Sequence, residues 1–254
     1  MTMSKPAPRG APPPPAVQHL LIRYAKRGKM RFASHLDVAR AFERGVRRAG
    51  LPVAYSAGFT PHPKISYAGG APTGVASEAE YLSLALTSRN EAAVVRERLN
   101  AALPDGIDVI AATEDAGGLP ASRLTASEWQ VILPGLTPDS VAPVVQKFLA
   151  LEHAPVERLT SKGLRRMDAR SAVVTLGVHG LKDDSAGDDN AVGHGADHDA
   201  GAALRMVVRH TAPAVRPDDV LAALREVSDV VPTAPPLITR LAQGSLGESG
   251  VVAL

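Results

Sequence analysis

The sequence predicts an α+β fold of two tandem ferredoxin-like (β-α-β-β-α-β) lobes, antiparallel sheets with helices on one face. Three observations carry this. The 254 residues exceed a usual single domain and suit two of about 110 to 120 residues. Apolar residues make up 45% of the chain and charged ones 21%, enough to fill two cores built mainly from Leu, Val, Ile and Ala. Strand-like and helix-like segments follow one another as β-α-β-β-α-β over residues 17–118, and the same order returns over 119–246 as a topological repeat.

Residues 1–16 are rich in Pro and Ala, with Pro12 to Pro15 consecutive, and read as a disordered tail. HLLIRYAKRG is a strand-like run, and KMRFAS after Gly28 reads as a second short extended piece. Ser34 is a helix N-cap. Val38, Phe42, Val46 and Ala49 then recur at helical spacing up to Gly50, which predicts a helix over 35–49 closed by a C′ glycine. Pro52 ends that segment, VAYS reads as a strand and GFTPHPK as a loop. KISYAG and the alternating EAEYLSLAL read as strands, NEAAVVRERLNA as a helix over 90–101, and IDVIAAT as a closing strand.

In the second lobe SEWQVILPG, PVERLT, SAVVTLGVHG, ALRMVVRHT and PLITRLAQ read as strands, while TPDSVAPVVQKFLAL and PDDVLAALREV read as helices. The stretch 181–201 is a Gly/Asp/His/Ala insertion without apolar periodicity and is expected to be disordered. Its six aspartates with His194 and His198 have no spacing that fixes a cation site, so no metal is expected. Residues 247–254 read as a tail.

The chain has no cysteine, which excludes disulfides, thiolate nucleophiles and cysteine-ligated clusters. No segment has the length of a signal peptide core or a membrane span, so a cytoplasmic protein without membrane contact is expected. Phosphate-loop, GxGxxG, HExxH and GxSxG motifs are absent. No cofactor is expected, and enzymatic activity is left open with the weight against it.

Charge is distributed unevenly. Ten basic residues stand between Leu21 and Lys64 against Asp37 and Glu43 alone, a local charge of +8 within a chain of net +2. Arg40, Arg44 and Arg47 lie at i, i+4 and i+7 on the first helix, away from the Val38, Phe42 and Val46 stripe. Such a row suits phosphate, because a guanidinium is a planar donor fork that keeps its charge. Arg23, Lys26, Lys29 and Arg31 extend it. The alternative is that Asp37 and Glu43 pair with these arginines on an ordinary solvated face. Tyr55, Phe59, His62 and Tyr67 are interleaved with Lys64, the combination used to stack bases and track phosphates of single-stranded RNA. His35 and His62 are candidates for an acid–base pair in a metal-independent ribonuclease. In the second lobe Lys162, Arg165, Arg166 and Arg170 gather around Asp168, with Arg240 further on, as a second anionic-ligand surface or a salt-bridge cluster.

The stretch FASHLDVARAFERGVRRAGLPVAYSAGFTPHPKISYAGGAPTGVASEAEYLSL closely resembles the bacterial radical-SAM-associated family of unknown function, in its stand-alone form. The resemblance continues more loosely through KGLRRMDARS to LITRLAQGSL. It implies a separate radical SAM enzyme as partner, supplying the cluster that a cysteine-free chain lacks. More distantly, the first lobe is similar in fold and basic helix to the RNA-binding lobes of CRISPR-repeat-processing endoribonucleases. The expected function is an RNA-binding or substrate-presenting accessory protein acting on tRNA or single-stranded RNA. A protein-binding adaptor and an RNA-processing enzyme are the alternatives.

Overall fold

The computed structural model describes residues 13–115, 121–160, 163–180, 201–248 and 250–254. The fold is mixed α+β, with a large, mostly antiparallel sheet and few helices. Two compact units divide the chain: one holds residues 1–73 and 79–121, the other 74–78 and 122–254.

The first unit contains β1 (Gln18–Lys26), α1 (His35–Arg48), β2 (Ile65–Ala68), most of β3 (Ala76–Leu86), α2 (Ala92–Asn100) and β4 (Ile107–Glu114). Its strands lie in the order β4-β1-β3-β2, with β4 antiparallel to β1 and β2 antiparallel to β3. One core takes Leu20, Ile22 and Tyr24 from β1 and Leu82, Leu84 and Leu86 from β3. The same core takes Val38, Phe42 and Val46 from α1 and Val95 and Leu99 from α2, so both helices cover the same face. Gly50 ends α1 at φ +61°, a conformation that costs any other L-residue about 1 kcal/mol.

The second unit contains β5 (Ala126–Pro134), α3 (Pro138–Leu149), β6 (Pro155–Thr160), β7 (Gly163–Asp168), α4 (Ala169–Ala172) and β8 (Val173–Gly180). β9 (Gly201–Arg209), α5 (Pro217–Glu226), β10 (Leu237–Gly247) and β11 (Gly250–Ala253) complete it. Its main strands follow β10-β5-β9-β8, every neighbour antiparallel. The first residues of β3 pair in parallel with Thr239 and Arg240 of β10. β6 and β7 form a separate two-stranded ribbon.

Four expectations are corrected. KMRFAS is not extended: Gly28–Phe32 is a 3₁₀ turn, started where Gly28 takes φ +50° and closed by local bonds from Met30 N–H to Arg27 O and from Ala33 N–H to Met30 O. VAYS makes only two single bridges, Val53 to Leu86 and Tyr55 to Pro63, because a proline has no N–H with which to continue a ladder. SKGLRRMDARS is not a connection between strands, since Gly163–Asp168 is β7 and Ala169–Ala172 is α4. The expected tail after residue 246 includes β11, which pairs with the end of β10. That pairing requires Gly244, where a β-carbon would fall on the Val252 carbonyl. The expected N-terminal tail as far as Pro12 and the acidic insertion at 181–200 lie outside the described residues. Among the described residues, no helix is long and apolar enough to cross a membrane.

Candidate nucleic-acid interface

The basic helix begins with a reciprocal cap. Asp37 N–H donates to Ser34 Oγ at 3.2 Å, and Ser34 N–H donates to Asp37 Oδ2 at 3.1 Å, so two otherwise orphaned donors are satisfied. The Ser34 hydroxyl and backbone hold the Asp37 carboxyl below the usual aspartate range, and Arg40 and Arg44 add to this. Asp37 is therefore committed to the cap. Glu43 instead faces His62, with 4.0 Å between Oε1 and Nδ1.

Val38, Ala41, Phe42, Gly45 and Val46 are buried along one side of α1. Arg40, Arg44 and Arg47 are exposed on the opposite side, within an arc of about 60° and over about 10 Å of helix length. Among the described residues, no carboxylate lies within 4.0 Å of these three guanidinium groups. Arg48 points elsewhere and donates to Ala102 O at 3.1 Å.

The loop that follows is closed at its base. Ser56 N–H donates to His62 O at 2.9 Å, His62 N–H donates to Ser56 Oγ at 3.0 Å, and Lys64 N–H donates to Ala54 O at 2.7 Å. Phe59 stands near the tip, 76% exposed, and Lys64 is exposed at the foot. Tyr55 is half-buried. Tyr67 packs edge-on against Phe42 and His35, with ring centroids 6.3 and 5.2 Å away. Its hydroxyl is buried without a hydrogen-bond partner, and burial, aided by Glu43, pushes its pKa far up. Arg31 is half-buried, its guanidinium 4.8 Å from the Phe32 ring centroid.

The two histidines have different nearest partners. His35 opens α1 and packs on Tyr67, whereas His62 meets Glu43, eight residues and about 12 Å of helix rise further on. Lys26 and Arg23 do not simply extend the exposed row. Lys26 is 3% exposed and donates to the carbonyls of Ala71 and Pro72, each at 3.2 Å, while Arg23 is half-buried.

In the second unit the expected basic set separates. Arg170 donates to Leu149 O and Val173 O and so anchors α4. Arg166 pairs with Glu157 at 2.6 Å, Arg165 is exposed, and Lys162 lies outside the described residues. Asp168 caps α4 and accepts from His153, Ala154 N–H and Arg170 N–H, so it is not the centre of an arginine cluster. Arg240 is buried, 4.7 Å from the Trp129 ring centroid and 3.0 Å from Gln243 Oε1.

A feature absent from the sequence reading lies at the head of α1. Tyr24, Lys26, His35, Gly70, Ala71 and Glu80 are among the residues lining a cavity of about 270 Å³. Glu80 is 3% exposed and accepts the Ala71 N–H at 3.0 Å. The signal was present in the alternation. Leu20, Ile22 and Tyr24 are followed in phase by Lys26, and Leu86, Leu84 and Leu82 by Glu80, so each core stripe ends in a charge on the buried phase.

No curated protein matches the chain. The family described as "Uncharacterized protein conserved in bacteria (DUF2344)" matches residues 19–217, from β1 to the first residue of α5, and the chain belongs to that family.

Proposed function

We propose that this protein is an RNA-binding accessory protein that holds tRNA or single-stranded RNA on the exposed arginine row of α1. The observation that carries the reading is that Arg40, Arg44 and Arg47 are exposed together, with no acid at ion-pair distance among the described residues. Three exposed guanidiniums on one helix, none of them in an ion pair among the described residues, suit a phosphate backbone. Phe59, near the tip of the loop whose foot carries Lys64, adds an exposed ring for stacking. The strand orders support reading each unit as a ferredoxin-like lobe, the second carrying the β6–β7 ribbon as an insertion. The cysteine-free composition and the resemblance of the first lobe support a radical SAM enzyme as the cytoplasmic partner that would act on the presented RNA.

The separation of His35 from His62 favours binding over cleavage. A protein contact as the second activity is favoured by the β6–β7 ribbon, where Leu159 and Leu164 face one another across the strands and are 80% and 54% exposed.

Fluorescence anisotropy with labelled total tRNA and a twelve-nucleotide single-stranded RNA tests the reading. Saturable binding by the wild type, and at least about a tenfold loss in Arg40→Glu/Arg44→Glu/Arg47→Glu at low salt, is expected. Absence of wild-type binding at low salt would overturn it in favour of the protein contact.

A further inference from the structure

The cavity at the head of α1 is polar where the core beneath it is apolar. A buried ammonium, a buried carboxylate and an imidazole line its walls (Lys26, Glu80 and His35), together with the backbone of Gly70 and Ala71. Lys26 and Glu80 also clamp the Ala71–Pro72 backbone, so both charges are held in place before any ligand arrives. Buried charges of opposite sign facing one space present donor and acceptor character together, which matches the mixed polar edge of a nucleobase better than a phosphate or a hydrocarbon. The volume, about 270 Å³, falls just below the roughly 300 Å³ at which drug-sized pockets begin and suits one heterocycle rather than a whole nucleotide. His35 is exposed at the rim, and its ring is oriented edge-to-face by Tyr67, which leaves a flat group for stacking. Arg40 follows it by five residues, about 7.5 Å of helix rise.

We infer that this cavity receives one unpaired nucleobase of the RNA bound on α1, with His35 against its face and Lys26 and Glu80 towards its polar edge. The inference rests on the RNA-binding reading. Taking a base out of its stack into such a pocket is how proteins inspect a single base, so the cavity would set which nucleotide is presented.

The test compares twelve-nucleotide oligo(A), oligo(C) and oligo(U) with an abasic ribose-phosphate chain of the same length. Each is titrated against the full-length wild type, His35→Ala, Glu80→Gln and the triple arginine variant. The wild type is expected to prefer at least one base-bearing oligomer over the abasic chain by about tenfold. His35→Ala should remove most of that preference while leaving abasic binding unchanged. Glu80→Gln, which replaces an acceptor by a donor and acceptor, should change the ranking among A, C and U, an effect a structural role would not produce. The arginine variant should lose both kinds of chain. If His35→Ala and a Glu80→Gln protein of wild-type melting temperature both keep the wild-type preference and ranking, the cavity does not take a base, although the arginine row still binds RNA. Equal wild-type affinity for base-bearing and abasic chains would overturn the inference too, and loss of all wild-type binding would overturn the RNA reading itself.

Discussion

His210 occupies a position that requires a neutral ring. Its Nδ1 lies 2.7 Å from Leu124 O and its Nε2 2.8 Å from Ser127 Oγ, so Nδ1–H donates to the carbonyl and Nε2 accepts the hydroxyl proton. Burial lowers the pKa, and Arg240 lowers it further against the opposing bond to Leu124. Below about pH 6.5 the unfolded chain takes up a proton at this position that the folded chain refuses until its lower value is reached. Stability from this group is therefore complete above about pH 6.5 and lost as pH falls through the folded value. Melting temperatures from pH 8 to pH 5 should fall more steeply for the wild type than for His210→Asn, and parallel curves would contradict the assignment. Nothing in the sequence marked His210, since its two partners are 83 and 86 residues away. Ser34, by contrast, was legible as a cap, because its partner is three residues away.

At the scale of elements, β6 is tied to the first turn of α5 by one ion pair. Arg158 Nη1 contacts Asp219 Oδ2, and its Nη2 donates to Ala214 O at 2.9 Å. Asp219 is buried and also accepts the Arg216 N–H at 2.7 Å. Arg158→Met would strand a buried carboxylate and should cost about 3 kcal/mol, measured by urea unfolding. Arg158→Met/Asp219→Asn should recover most of that loss, because the amide oxygen still caps Arg216 without a charge. A double variant no more stable than the single one would show that packing, not the charge, holds β6. Element positions were legible where an apolar period was long, as in α1 and β3. β7 was missed because four of its six residues are exposed in succession. It is a strand because β6 offers it a ladder, not because its own pattern demands one.

For the whole molecule, the relevant electrostatic quantity is how many positive charges remain available after folding, not the net +2. Folding removes Lys26 and Arg240 into buried positions and ties Arg48 and Arg170 to carbonyls, while it leaves Arg40, Arg44 and Arg47 in solvent. If these three each neutralise one phosphate of a single strand, the slope of log affinity against log salt should be shallower by about 2 in the triple variant. Binding measured from 50 to 300 mM salt checks this, and an unchanged slope would place the phosphate contacts elsewhere.

The sequence by itself determined the α+β class, the order of most strands and helices, and the basic and apolar faces of α1. These follow from periodicities and caps that act over a few residues. Only the tertiary structure decided which of the basic residues stay available, that His35 meets Tyr67 while His62 meets Glu43, and that Lys26 and Glu80 share one cavity. Those outcomes depend on strand register and on partners 54 residues apart in sequence, where side-chain fate is set by what the fold brings alongside.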